Sequence, residues 1–192
     1  LLALVAGGFA TGLQDALRIS GSSENVILLG VGSEESIERS EVSMGTAGVV
    51  AGSVNGLLSR AGVEAVSPEI HLALPIALEG EERQLVVIRG IDDGAWIVHD
   101  DVRITEGRGP RSGWNELAAG RLAARTLGFD PAETMLGQEI VIDDDLYTVT
   151  GVLEADGGVA EGEFWTALTD LQVTAQRDSV SCIIVTLDTA TP

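Results

Sequence analysis

The stretch from Glu139 to Glu154, "EIVIDDDLYTVTGVLE", sets Asp143, Asp144 and Asp145 between two runs of apolar and β-branched residues. Its reading decides the fold class. Two strands joined by a short polar turn make a β-hairpin, whereas three ligating carboxylates make a metal or acid site. Oxygen ligands suit a hard cation such as calcium. The spaced ligands, central glycine and distal glutamate of a calcium loop are missing here, and consecutive side chains point in different directions. Aspartate also favours turns, because its side chain bonds to its own backbone. The stretch reads as a hairpin, and the pairs Asp92-Asp93 and Asp100-Asp101 read as turns as well.

Outward from the hairpin, strands and helices alternate. "SSENVILLG" (22–30) reads as a strand and the polar "VGSEESIERSEVS" (31–43) as loop. In "TAGVVAGSVNGLLSRAG" (46–62), Val50, Val54, Leu57, Leu58 and Ala61 fall at helical spacing with Gly62 as a stop, which predicts an amphipathic helix. "VSPEIHLALPIAL" (66–78) alternates, with Ile70, Leu72, Leu74, Ile76 and Leu78 on one face and a wet face carrying Glu69, His71 and Pro75. This alternation places His71 in solvent or at an interface. Pro75 marks an edge or an interruption of that strand. "RQLVVIRGI" (83–91) is apolar on both faces and reads as a more central strand, as does the closing "SVSCIIVTLD" (179–188). Apolar density falls over "HDDVRITEGRGPRSG" (99–113), the best place for a crossing into a second lobe. There "ELAA" (116–119) suits a short strand or a first helical turn, and a helix is expected from near Gly120 to Gly128.

Composition excludes several functions. The 192 residues are enough for one domain with an inserted lobe. All 11 basic residues are arginine, against 30 acidic ones, for a formal charge of −19. Nucleic acid and anionic headgroups are repelled by such a surface, so no nucleic-acid partner is expected. A single cysteine, Cys182, permits neither an internal disulfide nor a thiolate cage. With only His71 and His99, a histidine-rich zinc site is excluded, and no HExxH spacing occurs.

A Ser, His and Asp triad needs its members to meet only in space, yet no GxSxG elbow raises its prior. "GRGPRSG" (107–113) and "GVGSEES" (30–36) do not sit as nucleotide cradles: the first has Pro110 in place of a donor, the second has glutamates and no lysine. No residue is assigned a catalytic, cofactor-binding or metal-ligating role. Trp96, Trp114 and Trp165 are read as core or lobe-junction residues, with interface anchoring as the sharper alternative. The uncharged "LLALVAGGFATGL" (1–13) falls short of the roughly 20 apolar residues of a membrane span. It is read as the outer end of a transmembrane helix or a juxtamembrane segment, ahead of a signal-peptide remnant or a buried amphipathic helix.

Several phrases, in their order, resemble the MacB-like periplasmic core domain of FtsX-type ABC transporter permeases. They are "GFATGLQDAL" (8–17), "GVEAVSPEI" (62–70), "VVIRGID" (86–92), "ITEGRGP" (104–110) and "NELAAGRLAARTLGFDPAETMLGQEIVIDDDLYTVTGVLEADGG" (115–158). The alanine-rich "ELAA" departs from the β-branched residues expected there.

The resemblance implies a mixed α/β fold of the α+β class in two lobes. The membrane-proximal lobe, with a mixed sheet and helices, takes residues 14–98 and 178–192; a small inserted α/β lobe takes 99–177, with flexible crossings near His99 and Arg177. It implies a non-catalytic extracytoplasmic, periplasmic domain of an integral inner-membrane permease, without a cofactor of its own. ATP is bound by a separate cytoplasmic ATPase subunit or domain, and the partners are that ATPase through the membrane helices, a permease dimer mate, and an adaptor or substrate protein. The alternatives are a secreted hydrolase with an unrecognised triad and a stand-alone extracytoplasmic binding domain.

Overall fold

Residues 24–33, 36–78 and 82–188 are described by the computed structural model. They form β1 (Asn25–Leu29), β2 (Val42–Ser43), α1 (Met44–Ser53), β3 (Ser59–Arg60), β4 (Val63–Glu64), β5 (Val66–Leu78) and β6 (Gln84–Ile91). Then come α2 (Ala95–Val98), β7 (Arg103–Gly107), β8 (Glu116–Gly120), α3 (Arg121–Thr126), β9 (Glu139–Ile142) and β10 (Asp145–Glu154). The chain ends with β11 (Glu163–Ala167), α4 (Leu168–Thr174), β12 (Ser179–Val180) and β13 (Cys182–Thr186). The expected α+β class is observed. The apolar segment 1–13 lies outside the described residues, and among those residues no helix is long and apolar enough to cross a membrane.

The aspartate stretch is a hairpin, with Asp145 opposite Ile142. Asp143 and Asp144 form a two-residue turn with φ of 46° and 72°, the doubly left-handed geometry whose twist matches that of the flanking strands. Aspartate tolerates that region better than most residues. Asp145 belongs to the strand, and its Oδ2 accepts a hydrogen bond from Thr174 Oγ1 at 2.6 Å.

The hairpin also closes the sheet. β5 pairs antiparallel with β6, β6 parallel with β11, β11 antiparallel with β8, and β8 parallel with β10. β9 then pairs antiparallel with both β10 and β5, so the ladder returns to its start as a ring of six strands. Closure removes the free edges that an open sheet leaves unpaired. Alternate residues point inward: Ile70 and Ile76 of β5, Val86 and Ile88 of β6, Ile140 and Ile142 of β9, Tyr147 and Val149 of β10, and Phe164 of β11 share one apolar cluster with Leu168 and Leu171 of α4. β13 and β1 extend the sheet from the first half of β5, and β7 extends it from β10. The ring draws β5 and β6 from residues 14–98 and β8 to β11 from residues 99–177, so both expected lobes contribute strands to it.

Pro75 sits where β5 is unpaired on one side, between the residues bonded to β13 (66–69) and those bonded to β9 (76–78). This is the interruption its missing N–H requires. "ELAA" is strand, fully buried between β10 and β11; its pairing on both sides overrides alanine's helical preference.

The helix expected up to Gly62 stops at Ser53 instead. Gly56 has φ 78°, Leu57 bridges to Leu187, and Leu58 N–H donates to the Thr186 carbonyl at 2.9 Å. Ala61 and Gly62, at φ 52° and 84°, turn the β3–β4 hairpin. The apolar residues Leu57 and Leu58 are thus held by the closing strand, which a helical-spacing argument does not see.

Replacing Asp143 by Asn and Asp144 by Gly gives the turn its preferred residues. The double variant is expected to raise the thermal midpoint by about 2–4 °C, corresponding to about 1 kcal/mol at this size. A fall in the midpoint, read by circular dichroism, contradicts the turn assignment.

Candidate functional site

Strand register sets a charged cluster on the outside of the ring. His71 of β5, Arg89 of β6 and Trp165 of β11 lie directly opposite one another across the three strands. Because side chains alternate along a strand, Glu69 and Glu163, each two residues earlier, share their face. Cys182 of β13 pairs with Glu69. Over this surface lies α2, whose Ile97 and Val98 pack with Ala65, Cys182 and Ile184 and whose C-terminal cap is His99.

Arg89 is the hub. Its Nε and Nη2 donate to Glu163 Oε2 and Oε1, both at 2.7 Å, and its Nη1 donates to Glu69 Oε2 at 2.9 Å. Glu69 Oε1 lies 2.7 Å from His99 Nε2 and accepts from Ser67 Oγ at 2.9 Å, while its Oε2 accepts from His71 Nε2 at 3.1 Å. Since a carboxylate only accepts, His71 carries a proton on Nε2, whereas His99 Nε2 sits between the Glu69 acceptor and the Arg89 Nη1 donor, 3.1 Å away. Trp165 Nε1 donates to Glu163 Oε2 at 2.8 Å, and its ring lies 5.1 Å from the Arg89 guanidinium and 5.3 Å from the His99 ring.

Burial opposes ionisation of Glu69, but His99 and Arg89, with the His71 and His99 hydrogen bonds, overcome it and hold the carboxyl well below the usual range. Glu163 is lowered by Arg89 in the same way against its own burial. Burial likewise disfavours the charged guanidinium, and the two carboxylates more than compensate, raising the Arg89 pKa. Among the described residues no buried side-chain polar atom lacks a partner.

His71 is only 7% exposed, which corrects the expectation of solvent or an interface. The apolar face of β5 does turn inward, as its alternation requires. Its second face is dry at this end because α2 and the Arg89 cluster cover it, a long-range contact invisible to periodicity. The crossing residues expected to flex are also tied down: His99 is bonded to Glu69, and Arg177 donates to the Ser40 carbonyl and, at 3.0 Å, to Ser179 Oγ.

The cluster floors a cavity of about 450 Å³ that both histidines line. Their place there is what a triad requires, but among the described residues no serine hydroxyl is hydrogen-bonded to either imidazole. Ser67 bonds to Glu69, and Ser181 Oγ accepts from the His71 backbone N–H at 3.0 Å. Glu69, His71 and Cys182 bring ligating atoms within 4.8 Å of one another. The Arg89 guanidinium already occupies the same Glu69 oxygen, and burial followed by Glu69 pushes the Cys182 thiol up to about 12. A cation there meets a fixed positive charge and a thiol that resists ionising.

A second constellation holds the loop after β7. Glu116 accepts from Arg108 and Arg111, including Arg111 Nη2 at 2.9 Å. The backbone N–H groups of Gly113, Trp114 and Asn115 converge on the Asp170 carboxylate at 2.7, 3.2 and 3.0 Å. "GRGPRSG" therefore leads into an anion-holding backbone turn whose anion is this chain's own Asp170. Neither acid carries a sequence signal, since each looks like an ordinary acid in a strand or in a helix. Trp165 is wholly buried with Trp96 against it at 5.5 Å, but Trp114 is 63% exposed under the Arg111 guanidinium, so it is no core residue.

The sequence model of the MacB-like periplasmic core domain matches residues 2–192. Among solved structures, the periplasmic region of MacB from Actinobacillus actinomycetemcomitans aligns with a TM-score of 0.69 at 12% identity, covering 92% of this chain and 79% of that one. The extracellular domain of the noncanonic ABC-type transporter YknZ from Gram-positive bacteria aligns with a TM-score of 0.66 at 16% identity, covering 86% and 84%. A domain of a putative permease protein from Porphyromonas gingivalis gives 0.55 at 14%, covering 79% and 71%. A comparison with curated protein sequences gives no match.

Arg89→Met strands two buried carboxylates and is expected to cost about 3–5 kcal/mol in urea unfolding. Adding Glu69→Gln and Glu163→Gln should recover part of that loss; no recovery speaks against the ion-pair account.

Glu116, lowered to about 2 from 4.5 chiefly by its hydrogen bond from Arg108, stabilises the fold fully above about pH 4.5 and progressively less as pH falls toward 2. Glu116→Gln should lower the midpoint at pH 7, with the difference from the parent chain vanishing near pH 2. A pH-independent difference contradicts this assignment.

Proposed function

Because the chain belongs to the family of MacB-like periplasmic core domains, we propose that it is the extracytoplasmic domain of an ABC transporter permease and that its work is mechanical. In this proposal a cytoplasmic ATPase subunit binds and hydrolyses ATP, the permease's membrane helices carry the motion outward, and this domain delivers it. The receiver is a permease dimer mate, an adaptor or a carried substrate. The domain itself is non-catalytic and uses no cofactor. The lobes, 14–98 with 178–192 and the inserted 99–177, move as one body against the partner.

One observation carries this reading: the six-stranded ring takes strands from both lobes, and the Arg89 cluster ties β5, β6, β11 and the His99 crossing together on its outside. A part that transmits displacement must not absorb it, and interlobe hydrogen bonds plus a buried ion pair oppose bending at the junction. The non-catalytic reading is favoured by the same cluster, since its imidazoles and carboxylates are bonded to each other.

The test uses spin labels in the intact permease with its ATPase. One label replaces Val49, exposed on α1, and another Leu122, exposed on α3. The expected result is an unchanged Val49–Leu122 distance between nucleotide-free and ATP-bound states, with a changed distance between the Val49 positions of two protomers. A shift within the protomer, or fixed distances throughout, overturns the rigid-lever reading.

A further inference from the structure

The cavity over the Arg89 cluster has a property that mechanical coupling does not use. At about 450 Å³ it falls within the range of small-molecule sites. Its walls are apolar, with Ile27, Val87, Val98 and Val102 among them. Its floor is electrostatically saturated, because Arg89 is consumed by Glu69 and Glu163.

The mouth differs from the floor. Glu38 and Asp101 also line the cavity, and neither is ion-paired or hydrogen-bonded to a described residue. Three acidic side chains, Glu38, Asp101 and Glu163, therefore line the space against one guanidinium, which is also paired with Glu69 behind it. The chain's formal charge of −19 adds to the same field. A low-dielectric cleft lined by one sign of charge concentrates ions of the other sign. An anion is repelled, a neutral apolar molecule gains only from the walls, and a cation on an apolar body gains from walls and mouth together.

We propose that this cavity binds a small organic cation, with an ammonium-type head at Glu38 and Asp101 and an apolar body against Ile27, Val87 and Val102. The floor contributes shape and field, since its hydrogen-bonding atoms are occupied. Binding there is independent of whether the domain moves as one body.

Calorimetric titration of the chain with n-octylammonium, n-octanoate and n-octanol tests this. Octylammonium is expected to bind about tenfold more tightly than octanoate, and its advantage should shrink as salt rises, because the mouth carboxylates are reached by solvent. Glu38→Gln with Asp101→Asn, both away from the core, should bring the two affinities together and leave octanol binding unchanged. Val159→Trp places bulk at a cavity-lining residue that is 58% exposed, so the fold should tolerate it while binding of all three probes falls. Octanoate binding as well as octylammonium, a preference that survives the paired acid substitution, no octylammonium binding, or indifference to Val159→Trp each overturns the proposal.

Discussion

Arg89 holds two carboxylates on separate strands, and the outer layer of the molecule is arranged around that contact. A guanidinium 5% exposed is sustainable only with both charge compensation and complete hydrogen bonding. Glu163 supplies a bidentate partner from β11 and Glu69 a second from β5. Glu69 is itself held by Ser67, His71 and His99. Removing Arg89 leaves two buried carboxylates without their shared cation, so the set is coupled: the register of β5 against β6 and of β6 against β11 is fixed by polar atoms as well as by the apolar interior.

The two faces of the ring thus do different work. The interior is Ile, Leu, Val, Ala, Phe, Met and a single Tyr, and its attraction is non-directional. The outer face adds direction, since charge-assisted hydrogen bonds tolerate little displacement. Tyr147 joins the two regimes, packing inside while its hydroxyl bonds to Thr174 at 2.8 Å. The same logic recurs at the loop after β7. Glu116, 4% exposed, and Asp170, 6% exposed, spend nearly all their capacity on arginines and backbone N–H groups of residues 108–115. A glycine-rich loop that is entropically costly to order is thereby fixed.

The family membership is matched by a construction in which polar groups are held chiefly by one another. Its histidines and acids are engaged with each other, and its crossings between lobes are bonded. What stays open is peripheral: the cavity mouth, whose Glu38 and Asp101 have no partner among the described residues, and Trp114 standing out on a loop that is itself anchored.

The sequence by itself determined the local pieces. The Asp143-Asp144 turn, the alternation of residues 66–78 and the short helix after Gly120 follow from nearest-neighbour chemistry, which acts within a few residues, and the order of the phrases carries the family resemblance. Tertiary structure alone decided which strands meet. Ring closure by β9, the end of α1 at Ser53 and the burial of His71 each depend on a partner many positions away. The candidate site is the extreme case: Glu69, Arg89, His99 and Glu163 span nearly a hundred residues, and as isolated letters they look like any acids and bases on a solvated face. Only the strand register, set by burying the opposite face, brings their charges within bonding distance.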